Sequence, residues 1–268
     1  MQRAELAVPT EQIAIINTKF EDQLSGLLRY ARFMEQETPQ EWVALLGPDV
    51  VGLTHPTVTA DITQRFVDFN REHGMDITPE DEILLLTASH DHDWGEIKIG
   101  ELGVGDVSFD QKTEADDRVE IQIFDRVTLD LPKGPAKNLF YRAYYDVAQQ
   151  KESRLGRSFN AIERLGYLQT AIRSYTGVDG KRIANWRGLV GNVLSNQIEK
   201  LLEYAIDYPY AAHILEEHAG RIDAMFAGTM AGDIPMDNKG SPSFDQEKFT
   251  RAHDTWKKSR GQKGGHTQ

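Results

Sequence analysis

Apolar residues recur every three or four positions along nearly the whole chain, a period that commits it to helices. Ile13, Ile16, Phe20, Leu24, Leu27, Ala31 and Met34 mark one face of a long helix that Pro9-Thr10 can start. Val58, Ile62, Phe66 and Phe69 mark a second face, which closes near Gly74. The pattern resumes through Phe140 to Val147, Phe159 to Ile172, Val193 to Ile206 and Tyr210 to Phe226. Two helix starts share one wording. Thr38-Pro39-Gln40-Glu41 and Thr78-Pro79-Glu80-Asp81 each offer a hydroxyl cap, a proline at the first helical position and an acid three residues after the cap. Elsewhere the pattern weakens. Gly100, Gly103 and Gly105 read as a loop, and Val119 to Leu129 admits either a short strand or a helix. From about Gly232 the composition shifts to Gly, Pro, Ser, Asn and Lys, with Phe244, Phe249, Ala252 and Trp256 enough for one weak amphipathic turn or two. The expectation is an all-α bundle over residues 1–231 with additional C-terminal helices, then a flexible polar tail over 232–268 that is dispensable for the core.

Composition removes several classes of function. The chain has no cysteine, so disulfides, thiolate metal sites and cysteine nucleophiles are excluded, and any metal must be held by His, Asp or Glu. Lys and Arg number 30 against 42 Asp and Glu, a net charge of −12, which repels phosphate backbones and disfavours general nucleic-acid binding. The longest apolar runs, such as Ile83 to Leu86, fall far short of the ~18 residues that suggest a membrane span. Met1-Gln2-Arg3-Ala4-Glu5 leads into no apolar signal core, so the expected location is cytoplasmic, with no membrane partner.

The segment richest in chemistry is Ser89-His90-Asp91-His92-Asp93-Trp94-Gly95-Glu96, two His-Asp pairs back to back at the end of an apolar helix. Charged side chains in such a place must be paired or bind metal, because isolated burial costs several kcal/mol. On a helix His90 and His92 lie about 200° apart, so only one pair serves a given site.

A His-Asp pair on one helix with a further His upstream resembles the HD-domain superfamily of metal-dependent phosphohydrolases, nearest to its 5′-deoxynucleotidase-like subgroup. The resemblance spans roughly residues 20 to 175 and implies an HD-type helical domain. His55, on the inward face with Val58 and Ile62, is then the first metal ligand. His92-Asp93 is the pair, because Trp94-Gly95-Glu96-Ile97 is similar to the family's His-Asp-x-x-Glu continuation. The last ligand is implied at Glu163 in Glu163-Arg164-Leu165, where the family's phrase carries Asp; the longer acid is a departure. Glu96 is implied as general acid/base. The family's Gly-Asp five residues beyond that Glu meets Gly100-Glu101 here and, five further on, Gly105-Asp106-Val107, so Glu101 and Asp106 both stand as residues that orient the attacking water.

Each residue alone has a plainer reading. His55 beside Pro56 caps a helix, His92 is a satisfied core histidine, Asp93 and Glu96 turn to solvent at a helix end, and Glu163-Arg164 is an ordinary pair. The metal reading rests on the set of four, not on any member. His90-Asp91 is read as supporting or surface, Trp94 as packing, His213 and His218 as structural, and His73 as a cation suited to a helix end.

The implied cofactor is one divalent ion, with Mn²⁺, Co²⁺, Fe²⁺ and Zn²⁺ not distinguished by two imidazoles and two carboxylates. An ion so held lowers the pKa of its water to roughly 7–9 and offsets phosphate charge. The implied activity is phosphomonoester hydrolysis, nucleotide 5′-monophosphates included, on a small phosphorylated partner, with a homodimer allowed. The subgroup's phosphate-binding Arg is missing, since no Arg or Lys lies between Arg32 and His55; Lys98, Arg154, Arg164 or an N-terminal Arg would have to replace it. Two-metal relatives need further histidines after the pair, and none occurs between Asp93 and His213. The alternative is a catalytically degenerate HD-domain protein that binds a ligand or partner; the retained Glu96 speaks against it.

Overall fold

A computed structural model describes residues 44, 55–96, 113–129, 131–236 and 240–263. The helix expected over 13–34, the Thr38 start and the glycines at 100, 103 and 105 lie outside the described residues. Within them the chain is all-α. Its helices are α1 (His55–Glu72), α2 (Pro79–Asp91), α3 (Glu114–Thr128), α4 (Pro135–Arg142), α5 (Arg154–Thr176), α6 (Trp186–Asp207), α7 (Pro209–Glu217), α8 (Ala219–Met230) and α9 (Gln246–Lys263). A 3-10 turn, His92–Glu96, prolongs α2, and a π-helix, Ala143–Ala148, prolongs α4. Among the described residues no helix is long and apolar enough to cross a membrane. The described residues fall into two compact units, one drawn from 55–63 and 78–160, the other from 64–77 and 161–263.

In the first unit α2 begins where its sequence says it should. The Thr78 hydroxyl accepts from Asp81 N at 3.1 Å, the Asp81 carboxylate accepts from Thr78 N at 2.9 Å, and Pro79 opens the first turn. Thr113 and Asp116 build the same reciprocal cap for α3. That cap settles 119–129 as helix: Ile123, Phe124 and Val127 then share one face and pack with Trp94, Phe140 and Tyr144. The Phe124 and Tyr144 rings stack at 3.6 Å between centroids, 4° from parallel. α3 packs on the 3-10 turn, and α2 packs on α4 and the π-helix.

In the second unit α6 is the central element, touching α7, α8 and α9. Here the expectation of a flexible tail over 232–268 is corrected for the described residues 240–263. Asp245 Oδ1 accepts from the backbone of Glu247 and Lys248 at 2.8 and 3.0 Å, capping α9. Phe244, Phe249, Ala252 and Trp256 are all buried. Trp256 Nε1 donates to Asp223 Oδ1 at 2.6 Å, and the Phe244 ring sits where a Cβ on Gly191 would be only 2.3 Å away. His253, likewise assigned to the tail, stacks on Phe226 at 4.6 Å. The reason is averaging. The outer face of α9 is so charged that its mean composition hides three apolar residues at helical spacing.

Candidate metal centre

Three of the residues singled out from sequence meet in the first unit. His55 opens α1 and is 2% exposed. His92 and Asp93 open the 3-10 turn. The His92 ring has its orientation set by its own helix: Nδ1 lies 3.1 Å from Ala88 O, and since a carbonyl only accepts, Nδ1 carries the hydrogen. Nε2 is thereby left as the nitrogen that could ligate a cation, the usual arrangement behind a metal-bound imidazole. That Nε2 stands 3.1 Å from His55 Nε2 and 3.1 Å from Asp93 Oδ1, while Asp93 Oδ2 is 3.6 Å from His55 Nε2. Thr59 Oγ1, one turn after His55, lies 3.1 and 3.2 Å from the two nitrogens of that ring. The Phe159 ring closes on His92, centroids 5.3 Å apart at 70°.

The donors fit a small cation. One ligand atom from each of His55, His92 and Asp93 lies within 4.8 Å of the others. Ligands bound at about 2.0–2.2 Å to one ion stand roughly 3.0–3.5 Å apart, close to the spacing between the two imidazoles. Neutral nitrogen plus carboxylate oxygen is the donor chemistry of Zn²⁺, Fe²⁺, Co²⁺ and Mn²⁺.

The neighbours of the pair take other roles. His90 is outside the cluster, and burial first, then His92, holds its pKa below the ordinary imidazole value. Asp91 is fully buried, and burial pushes its carboxyl well above the usual range. Ser89 and Thr63 tie α2 to α1 through hydroxyls 2.7 Å apart. Trp94 packs against Phe140 at 5.3 Å. Gly95 is required sterically: a Cβ there would lie 2.6 Å from Tyr144 Oη and 2.7 Å from Glu120 O. Glu96 ends the turn, half-buried.

Glu163 lies on α5, half-buried, one helical turn after Phe159. Arg164 beside it is buried, and its guanidinium donates to Gln197 Oε1 and to Asn196 O. Arg154 pairs with Asp81. Glu101, Asp106 and Lys98 lie outside the described residues. Sequence reasoning passed over Thr59, although a hydroxyl one turn after the first His was a visible signal. It also passed over Ala88, which had none, because any residue supplies the carbonyl. No family model, no curated protein and no solved structure matches this chain.

Proposed function

We propose that the protein is a metal-dependent phosphohydrolase acting on a small phosphomonoester, nucleotide 5′-monophosphates among the substrates. One observation carries the reading: His55, His92 and Asp93, drawn from two stretches of chain, turn their donor atoms onto one point. The resemblance to HD-domain enzymes adds Glu163 as a fourth ligand. When bound, a divalent ion would supply phosphate charge neutralisation and an activated water. His92 is pre-oriented for ligation by the Ala88 carbonyl, and Asp93 offers both oxygens to the same point. Glu96, three residues past the pair, hands a proton to the leaving oxygen, and Glu101 or Asp106 orients the water.

The test is hydrolysis of an aryl phosphate with Mn²⁺, Co²⁺, Fe²⁺ or Zn²⁺ added. Glu96→Gln is expected to slow turnover by ~10²–10⁴-fold, the ordinary size of a general acid–base contribution, while the protein keeps its metal. Natural deoxynucleotides outperforming the aryl ester would narrow the substrate class to nucleotides. A second reading, a ligand- or partner-binding domain without catalysis, draws on Arg164, whose guanidinium is already engaged by Gln197 and Asn196. Failure to cleave any phosphate ester with all four metals would make that reading the better one.

A further inference from the structure

Two arginines meet on one aromatic ring where α5 gives way to α6, in the second unit. The Arg182 guanidinium carbon lies 5.0 Å from the centre of the Trp186 ring and 4.7 Å from that of Tyr175. The Arg187 guanidinium carbon lies 4.9 Å from the centre of the same Trp186 ring. Local structure holds both in place. Val178 and Lys181 exchange two backbone hydrogen bonds of 2.9 Å across Asp179 and Gly180, whose φ angles are 50° and 76°, a two-residue turn of the kind that closes hairpins. A Cβ on Gly177, at φ 70°, would lie 2.1 Å from Lys181 O, so the turn is fixed in shape where it leads into Arg182. Arg187 Nε donates to Gly228 O at 3.2 Å, in the last turn of α8. Among the described residues no carboxylate reaches either guanidinium, although Asp and Glu outnumber Lys and Arg by 42 to 30 in the chain.

The first turn of α6 begins at the same tryptophan. Trp186 N donates to Ile183 O at 3.2 Å and Leu189 N to Asn185 O at 3.3 Å, and no carbonyl among the described residues meets the N–H groups of Arg187 and Gly188 between them. Asn185 stands at the N-cap, yet its side chain caps neither. The Asn185 amide and the Ser243 hydroxyl converge on Gly188 instead: Oδ1 and Oγ each lie 2.8 Å, and Nδ2 2.9 Å, from where a Cβ on Gly188 would stand. Ser243 is 2% exposed, and its Oγ has no hydrogen-bond partner. A buried hydroxyl so placed is a cost to the fold that a bound acceptor removes.

We propose that the first turn of α6, with Arg182, Arg187 and Ser243, binds the phosphate group of a small phosphorylated ligand. Guanidinium forks match phosphate oxygens in pairs, and the start of a helix turns N–H groups and partial positive charge toward an anion. A phosphate brings about two negative charges and three strong acceptor oxygens, enough for both forks and the helix start. The Trp186 ring already carries two guanidiniums, so the ligand is recognised by its charge and not by a stacked base. The proposal goes beyond the metal reading and does not rest on it, since His55, His92 and Asp93 belong to the first unit.

The test is calorimetric titration of the full-length protein with inorganic phosphate at constant ionic strength, with chelator present so that no metal-held phosphate contributes. Saturable binding is expected. Arg182 makes no hydrogen bond whose loss would disturb the fold, so Arg182→Gln is the main variant; it should bind phosphate roughly 10–100-fold more weakly, the size of a lost charge-assisted hydrogen bond. Ser243→Ala should weaken binding by roughly 3–10-fold while its thermal midpoint without phosphate stays at or above that of the wild type, because the hydroxyl has no partner to lose. Arg142→Gln removes the same charge from a surface pair with Glu80 and should stay within about twofold. Glycerol phosphate and a nucleoside 5′-monophosphate should bind alike, and acetate should not compete. No saturable phosphate binding by the wild type overturns the proposal. So does equal weakening in Arg142→Gln, which would mean that net charge alone attracts the anion. Competition by acetate as strong as that by phosphate overturns the ligand class, and a tenfold or greater preference for the nucleotide overturns recognition by charge.

Discussion

At His92 one hydrogen bond separates two chemically identical neighbours. His92 Nδ1 is held by Ala88 O and its Nε2 faces His55 at 3.1 Å, whereas His90 is outside the cluster. His92→Ala is therefore expected to abolish metal retention, and His90→Ala to keep most of it; metal content after gel filtration reads the difference. Equal loss from both would sink the assignment. The choice of pair was legible because helical geometry forbids both from serving one site and only the second continues into Glu96. The burial of Asp91 was not legible. Whether its side chain meets solvent or the π-helix depends on residues more than fifty positions away, and no local pattern reports them.

At the scale of the element, α2 is where local sequence and tertiary contact reinforce each other. Burial pushes the Asp81 carboxyl up, but hydrogen bonds from Arg154 and Thr78 outweigh it, and the pKa ends below the ordinary value. A pKa lower in the folded chain than in the unfolded one stabilises above the unfolded value, near 3.9, and that stabilisation is lost as pH falls through the folded value. Asp81→Ala should cost about 1–2 kcal/mol at pH 7, mostly through the lost cap, because Arg154 is largely exposed and its share is screened. In urea unfolding the gap from wild type should narrow progressively below about pH 4. A gap that stays constant from pH 7 to pH 3 would mean the Asp81 charge contributes nothing. This cap was readable as Thr78-Pro79-Glu80-Asp81. The 119–129 segment was ambiguous because its apolar residues fit both periods, and only the Thr113–Asp116 cap with the Trp94 and Tyr144 contacts decides for helix.

At the scale of the whole molecule, the largest difference between sequence and structure is α9. Its apolar face meets α6 and α8 residues scores of positions upstream, so its stability comes from long-range packing, which composition over 232–268 cannot register. Trp256 is 2% exposed and donates to Asp223, so Trp256→Ala should cost ~3–5 kcal/mol. For a chain of this size that corresponds to a thermal midpoint lower by roughly 6–20 °C. A calorimetric scan showing no shift would mean that α9 is not docked in solution. Among the described residues the all-α class was legible outside 119–129, because a period near 3.6 is a property of each segment by itself. The sorting of those segments into two units was not, since α1 and α5 each run from one unit into the other without a break in pattern.

The tandem His90-Asp91-His92-Asp93 has a consequence for how such a chain can change over generations. A repeated dipeptide is the kind of stretch that copying errors shorten or lengthen by one unit. Loss of either copy would leave an intact His-Asp in the text, yet it would stand two residues nearer the Thr78 cap and about 200° around the helix from the position at which His92 meets His55. A sequence comparison would score such a deletion as motif retained. The geometry would score it as site lost, because the spacing of both copies sets which His-Asp reaches His55.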